Sequence, residues 1–462
     1  MAEERTVRTL RDTADERAPR DPERDVLYVA LCGDQPTAGG LAVELVPGRV
    51  VAIARGTTLA LEPRTGDGEA WLRLPDGRVS ERHAVIDLRD GDWRFEDLGS
   101  LNGSFSGGAA IRSAPLTDGQ IVVVGRTVLL FRRKLRCAWP ASAGDLGGVP
   151  ELRTLSPEAA HVHDLLARAA PSAVPVLLRG ETGTGKEVAA RALHTLSRRP
   201  GRFVAINCGA LPENLIESEL FGYRRGAFSG ATQDRPGVIA AAAGGTLLLD
   251  EVGELPSAAQ VKLLRAIQER EIVPIGSPQG EAVAVDFRLV CATHADLDAL
   301  VTRGGFRADL LARIRGLELT LPPLRARRMD VGILVAALLA RHAGRDASAY
   351  RVDRRCAEAL VSHDYPLNIR ELELTLQALL ALAGPERLLT HDALAETALG
   401  RATAAATATT RPDPTRLRAD LVEQLARHQG NISAVARAMR RTRMQVHRWL
   451  KRWSIDAGRF RE

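Results

Sequence analysis

Gly180-Glu181-Thr182-Gly183-Thr184-Gly185-Lys186 follows the apolar run Val174-Pro175-Val176-Leu177-Leu178 and precedes a helical pattern from Val188 to Leu193. A strand, a glycine-rich loop and a helix in that order leave few options for the fold. The glycines let backbone N–H groups wrap phosphate, the helix N-terminus adds a favourable dipole, and Lys186 can reach a β/γ-phosphate. Lysine is rare here: of 63 basic residues only Lys134, Lys186, Lys262 and Lys451 are lysines, and one of them stands where this chemistry needs it. The residue after Lys186 is Glu187 and not a hydroxyl, so a bound Mg2+ must lean on water and on a downstream carboxylate.

Thr246-Leu247-Leu248-Leu249-Asp250-Glu251 supplies that carboxylate, as an apolar strand ending in two acids. Asp250 is expected to hold Mg2+ through water, and Glu251 to orient or deprotonate the attacking water. A third apolar strand, Leu289-Val290-Cys291-Ala292-Thr293, ends in polar Thr293-His294 and is expected to sense the γ-phosphate, with Thr293 the candidate nucleotide contact. Three phosphate-facing strand ends imply a nucleoside triphosphatase that works by positioning and charge neutralisation.

At 462 residues the chain has room for two to four domains. Residues 1–25 mix acids, arginines and prolines and read as a disordered lead-in. Residues 26–135 carry short alternating strands, such as Ala84–Leu88 and Trp93–Phe95 about a Gly91 turn, and are expected to form a β-sandwich. A Pro/Gly/Ala linker spans 136–150. Alternating strands and helices over 151–330 imply a parallel sheet flanked by helices, and 331–400 reads as nearly all helix. A second linker, 401–415, leads to a compact helical unit, 416–462. The fold class is thus multidomain: an all-β sandwich, an α/β core with a helical lid, and an all-α tail.

Charge is unevenly placed. Residues 411–462 hold 13 basic and 5 acidic side chains, or +8, so the net +6 leaves 6 − 8 = −2 for the rest. Basicity confined to the tail points to a nucleic-acid partner for that end. Five cysteines (Cys32, Cys137, Cys208, Cys291, Cys356) without a CxxC pair argue against a disulfide framework or a zinc site. No apolar run approaches bilayer length, so a soluble cytoplasmic protein with no membrane partner is expected.

Over roughly 152–399 the chain closely resembles the AAA+ domain of sigma-54-dependent transcriptional activators. Gly180 to Glu187 is similar to that family's Walker A, where glutamate after the lysine is usual, and Gly244 to Glu251 to its Walker B. The resemblance implies that the substrate is ATP, and that Asn207, in Phe203 to Ala210, pairs with the Walker B glutamate as a switch. It makes Arg307 and Arg313 candidate arginine fingers acting on a neighbouring subunit, which implies a homo-oligomeric ring, usually a hexamer. Tyr365 to Leu372 resembles the sensor II motif, placing Arg370 near the γ-phosphate, with Leu367 where the family has glycine. Gly226-Ala227-Phe228-Ser229-Gly230-Ala231 resembles the mobile loop tip that contacts sigma-54. Ser229 takes the usual threonine position, so a weakened but retained contact is expected.

The N-terminal stretch resembles a forkhead-associated (FHA) domain, a phosphothreonine reader, which makes Arg55, Ser80, Arg82 and Asn102 the candidate phosphothreonine-binding residues and His83 a structural partner. Its ligand is expected to be a phosphothreonine protein or an own segment phosphorylated at Thr6, Thr9 or Thr13. In the tail, Ile432 to Met439 and a helix opening at Thr442 read as helix-turn-helix, and from Gly430 to Trp453 there are seven basic residues and no acid. This resembles the Fis-type domain that binds enhancer DNA, with Thr442, Arg443, Gln445, His447, Arg448 and Lys451 on the DNA side. The whole reads as an FHA-gated activator that spends ATP on sigma-54 RNA polymerase. Two alternatives are a phosphopeptide-controlled DNA-binding regulator acting by occupancy and a AAA+ regulator of the housekeeping polymerase.

Overall fold

The computed structural model describes residues 22–63, 68–136, 152–278, 281–397, 399–400, 414–439, 446, 450, 455 and 457–460. The chain divides into two units, 1–394 and 395–462.

The first unit opens with β1 (Glu23–Cys32), β2 (Leu41–Leu45), β3 (Val50–Arg55), β4 (Ala60–Pro63), β5 (Glu69–Leu74), β6 (Ala84–Arg89), β7 (Asp92–Asp97), β8 (Ser104–Ser106), β9 (Ala109–Ile111), β10 (Ser113–Pro115), β11 (Ile121–Val124) and β12 (Thr127–Arg136). They form two six-stranded sheets, β2-β1-β12-β11-β8-β9 and β10-β7-β6-β3-β5-β4. Leu27, Ile53, Leu72, Trp93, Phe95 and Phe131 fill the space between them. The β6–β7 hairpin turns on Asp90-Gly91 with φ of 53° and 83°, the two left-handed residues that a tight two-residue turn requires. β1 starts within the stretch expected to be a lead-in. Asp25 pins it there, accepting from Trp93 Nε1 at 2.7 Å and from the Lys134 amide at 2.8 Å.

The α/β core follows. Its strands are β13 (Val176–Arg179), β14 (Phe203–Asn207), the short ladder β15 (Gly222–Tyr223) with β16 (Arg235–Pro236), β17 (Thr246–Asp250), the ladder β18 (Glu271–Ile272) with β19 (Val283–Ala284), β20 (Arg288–Thr293) and β21 (Leu317–Thr320). Five of these form a parallel sheet in the order β14-β17-β20-β13-β21. Both of its faces are covered, which is why the strands read as unbroken apolar runs. Leu177, Leu247, Leu249 and Cys291 pack into one core layer, and Val176, Leu178, Leu248 and Val290 into the other. The helices of this core are α1 (Pro157–Ala169), α2 (Lys186–Ser197), α3 (Glu213–Phe221), α4 (Val238–Ala241), α5 (Ser257–Glu269), α6 (Leu297–Thr302) and α7 (Ala308–Ile314).

The lid comprises α8 (Val331–Ala343), α9 (Arg354–Ser362), α10 (Asn368–Leu382) and α11 (His391–Ala395). It is not all helix: β22 (Arg351–Val352) and β23 (Leu388–Leu389) pair in parallel between the helices.

The lid is packed against the sandwich. Val26 to Cys32 are all buried, because one face of β1 lines the sandwich core and α8 covers the other. Contact is backbone to backbone. A Cβ at Gly332 would stand 2.3 Å from the Ala30 carbonyl oxygen, and one at Gly33 2.7 Å from that of Val352. The Val352 amide donates to the Gly33 carbonyl at 2.7 Å. At one edge of the seam the Arg354 guanidinium lies 3.9 Å over the Phe105 ring, and the Gly108 amide donates to Glu358 at 3.0 Å.

In the second unit, the helices Pro414–Arg427 and Ile432–Ala438 enclose a small core of Leu421, Leu425, Val435, Val446 and Leu450. Gly430, at φ 71°, ends the first helix, and Asn431 Oδ1 caps the second by accepting from Ser433 and Ala434 amides.

Candidate functional site

In an open parallel sheet, ligands sit beyond the C-terminal ends of the strands. A cavity of about 340 Å³ lies there. It is lined by Thr182 to Val188 from the loop after β13, Asn207 from β14, Asp250 and Glu251 from β17, and Ile369 and Arg370 from α10. Gly183 and Gly185 take φ of 79° and 101°, which a side chain would resist, so the loop's amides can turn inward. Lys186 is buried, its Nζ donating to the Gly180 and Glu181 carbonyls at 2.8 and 3.2 Å and standing 3.9 Å from Glu251. Burial lowers its pKa, against the pull of Glu251 and Asp250. Burial and then the neighbouring Glu251 raise that of Asp250. A half-buried carboxylate crowded by a second one suits a cation, and the chemistry of this pair fits Mg2+. Among the described residues, no group of three or more His, Cys, Asp or Glu is placed to hold a metal ion.

Glu181 and Glu187 are both engaged by arginines. Arg325 and then Asn368 hold the Glu181 carboxyl down at about 2, and Glu187 pairs with Arg191 at 2.7 Å one helical turn on. Thr293 is fully buried and its Oγ1 accepts from the Ala295 amide at 3.0 Å; it does not line the cavity. Asn207 lines it but does not engage Glu251. Its Oδ1 accepts from the Gly209 and Ala210 amides at 2.9 and 3.2 Å, capping the turn that ends β14. Glu251 is instead held by His294, through Nδ1 at 2.7 Å and the backbone amide at 3.2 Å, with its own backbone in the left-handed region at φ 51°. The polar strand end Thr293-His294 was expected to face phosphate; its histidine instead holds Glu251, a partnership that sequence reasoning missed.

Leu367 sits easily where the resemblance expects glycine, because its φ is −102°. The left-handed residues of this turn are Tyr365 and Asn368, at 50° and 54°. Arg307 pairs with Asp309 at 2.7 Å, Arg313 is exposed, and neither lines the cavity. The 226–231 loop closes on itself through the Gly226 amide and the Ala231 carbonyl at 2.8 Å. Phe228 at its tip is 44% exposed and packs edge-on against Tyr223, ring centroids 4.9 Å apart, so it is less bare than its composition suggests.

At one end of the sandwich, Arg55 at the end of β3 neighbours the loops that carry Ser80, Arg82 and Asn102, its amide donating to the Ser80 carbonyl at 3.0 Å. Arg55 lies 3.7 Å from Glu81 and Arg82 3.0 Å from Glu69. Ser80 Oγ accepts from the Leu101 amide at 3.3 Å, and Asn102 Nδ2 donates to the Arg78 carbonyl at 2.8 Å. His83 is fully buried beneath them, its Nδ1 accepting from the Ser80 amide at 3.1 Å, and burial lowers its pKa.

Comparison with known proteins bears on these surfaces together. A sigma-54 interaction domain matches residues 152–320, an FHA domain 67–125, a AAA+ ATPase lid domain 325–411 and a homeodomain-like domain 414–458. The response regulator protein PilR of Pseudomonas aeruginosa is 38% identical over 334 residues, 70% of this chain and 72% of that one. The chain belongs to the sigma-54-dependent transcriptional activators. Transcriptional regulatory protein GlrR of Escherichia coli is 41% identical over 296 residues, 63% of this chain and 66% of that one. NtrX of Brucella abortus, solved with ADP, is 29% identical over 67% of this chain and 71% of that one, with a TM-score of 0.49.

This activator is therefore an ATPase of the AAA+ class that carries an FHA domain and a helix-turn-helix tail. In the tail, Thr442, Arg443, Gln445, His447, Arg448 and Lys451 lie outside the described residues, as does Cys137. Cys32, Cys208, Cys291 and Cys356 are buried and free. No described helix is long and apolar enough to cross a membrane.

Proposed function

We propose that this chain is a phosphothreonine-gated motor that hydrolyses ATP to remodel promoter-bound sigma-54 RNA polymerase. The observation that carries the reading is one cavity that gathers the phosphate-wrapping loop, Lys186, the Asp250–Glu251 pair and Arg370. Backbone amides of residues 182–186 and the Lys186 ammonium hold the β/γ-phosphates, and Arg370 reports their presence to the lid. Asp250 would hold Mg2+, which would supply neutralisation of phosphate charge. Glu251 orients the attacking water, and His294 fixes the carboxylate that does so.

Arg307 and Arg313 lie outside their own cavity, which supports action on a neighbouring subunit's ATP in a ring, usually of six. The stroke emerges at Phe228, an aromatic tip between two left-handed glycines, φ 84° and 111°, on the same domain. Arg55, Ser80, Arg82 and Asn102 offer charged and neutral donors to a phosphothreonine dianion, and the basic tail anchors the assembly on enhancer DNA.

The test is open-complex formation with purified sigma-54 polymerase on a strong promoter, comparing wild type and Glu251→Gln, with and without ATP. The reading expects ATP-dependent opening by wild type and a loss of at least about 100-fold in the variant. Undiminished output from Glu251→Gln points to a regulator acting by occupancy. Opening confined to the housekeeping polymerase moves the Phe228 loop to another client.

A further inference from the structure

A cleft of about 540 Å³ separates the recognition loops of the FHA sandwich from the lid. From the sandwich it is lined by Arg78, Asn102 and Arg126, and from the lid by Arg354, Arg355 and His391. Two of the four arginines that line it already have a partner. Arg126 is paired with Asp34, and Arg354 stacks on Phe105 with Glu358 at 4.0 Å. Arg78 and Arg355 are exposed and make no ion pair among the described residues. Two unpaired guanidiniums, one from each domain, therefore face the same space.

The acids in the cleft do not offset them. Asp353 is spent as the cap of α9, with Oδ1 accepting from the Cys356 amide at 2.8 Å and Oδ2 from the His391 amide at 2.7 Å. That leaves Asp392 alone against Arg78, Arg355 and the half-satisfied Arg354. The cleft also begins at the residue that matters for recognition: Asn102 is one of the four FHA donors, and its amide is tied to the Arg78 carbonyl at 2.8 Å. A peptide extended across Asn102 has the lid arginines as its next neighbours.

We propose that the cleft is a composite recognition site, resting on the phosphothreonine reading above. The phosphothreonine sits on the FHA loops, and acidic residues flanking it reach Arg78 on the sandwich and Arg355 on the lid. The ligand class is a phosphothreonine peptide with carboxylates within three residues of the phosphate. Such a ligand bridges the two domains, so it loads the lid directly. The lid carries Arg370 and lines the nucleotide cavity along one side of α8, through Leu334, Ala337 and Leu338. Guanidinium–carboxylate pairs at an exposed rim are individually weak and screened by salt, so the effect is one of selectivity and not of bulk affinity.

The chain's own Asp12-Thr13-Ala14-Asp15-Glu16 has the required chemistry and supplies the probe. A labelled peptide of residues 8–18, phosphorylated at Thr13, is titrated into the full-length protein at low salt. It is compared with the same phosphopeptide carrying Asn or Gln at positions 12, 15 and 16, and with the unphosphorylated acidic peptide. The acidic phosphopeptide is expected to bind about fivefold tighter than the neutral one. Arg355→Glu and Arg78→Glu are each expected to remove that advantage while leaving the neutral phosphopeptide within about twofold of wild type. Equal affinity of the two phosphopeptides, or an advantage that survives Arg355→Glu, overturns the composite site and leaves the FHA reading standing. If neither phosphopeptide outbinds the unphosphorylated one, or if Arg55→Ala changes nothing, the FHA reading fails and takes the composite site with it.

Discussion

The lid meets the rest of its unit along two seams of opposite chemistry. Against the sandwich, away from the arginine-lined cleft, it is apolar and closed by backbone: Gly332 on Ala30, Gly33 on Val352, and a β1 buried on both faces. Against the nucleotide loop it is polar. Arg325 grips Glu181 at 2.7 Å, Asn368 reaches Glu181 and the Thr182 carbonyl at 3.2 and 3.0 Å, and Arg327 donates to the Thr184 carbonyl at 2.9 Å. One amide, Ile369, crosses to the Gly183 carbonyl at 2.9 Å. Opening the first seam exposes apolar surface that water cannot satisfy, whereas the groups of the second can exchange partners with phosphate or water. The first seam ties the lid to the FHA domain by packing, and the second joins it to the nucleotide loop by exchangeable polar bonds.

The largest effect on this contrast should come from Gly332→Val. No rotamer relieves a Cβ at 2.3 Å from a carbonyl oxygen, so the apolar seam must part or the backbone shift, at about 3 kcal/mol or more. Calorimetry should then resolve separate transitions for the sandwich and the core, where wild type melts the two together.

A smaller effect belongs to the polar seam and depends on pH. His163 lines the nucleotide cavity; burial first and Arg327 second push it down from 6.5 to about 4. The unfolded chain therefore binds more protons than the folded one between those values, so stability is full above about 6.5 and falls as pH drops toward 4. At pH 5 the loss should be about 2 kcal/mol relative to pH 7, and His163→Gln should abolish that share of the slope in urea titrations.

The smallest effect should be Glu181→Gln. Its pair with Arg325 is about two-fifths exposed on each side, so solvent screens most of its value and the cost should stay below about 1 kcal/mol. Its contribution is present above the ordinary carboxyl range and is lost as pH falls toward about 2. Nucleotide affinity measured beside stability should change more than stability does, since this seam faces the ligand.

Much of this was legible in the chain. The nucleotide loop, the Asp250–Glu251 strand end and the Asp90-Gly91 hairpin are local patterns, and each folds as its spacing dictates. What could not be read is what depends on distant neighbours. Asn207 was expected to hold Glu251, but a cap two residues away claims its oxygen, and His294, from a strand adjacent only in space, takes the place. The seam between sandwich and lid was missed as well, although it left a trace. Val26-Leu27-Tyr28-Val29-Ala30-Leu31-Cys32 is unbroken where a one-sided strand alternates, which is the mark of a strand covered on both faces.

Two backbone amides report the seams separately: Val352, donated across the apolar one to Gly33, and Ile369, donated across the polar one to Gly183. Hydrogen exchange of the full chain, with and without a non-hydrolysable ATP analogue, reads both in one experiment. Nucleotide is expected to change the protection of Ile369 and to leave Val352 and the β1 amides protected throughout. Loss of protection at Val352 and along β1 when nucleotide binds, with Ile369 unmoved, would contradict that expectation.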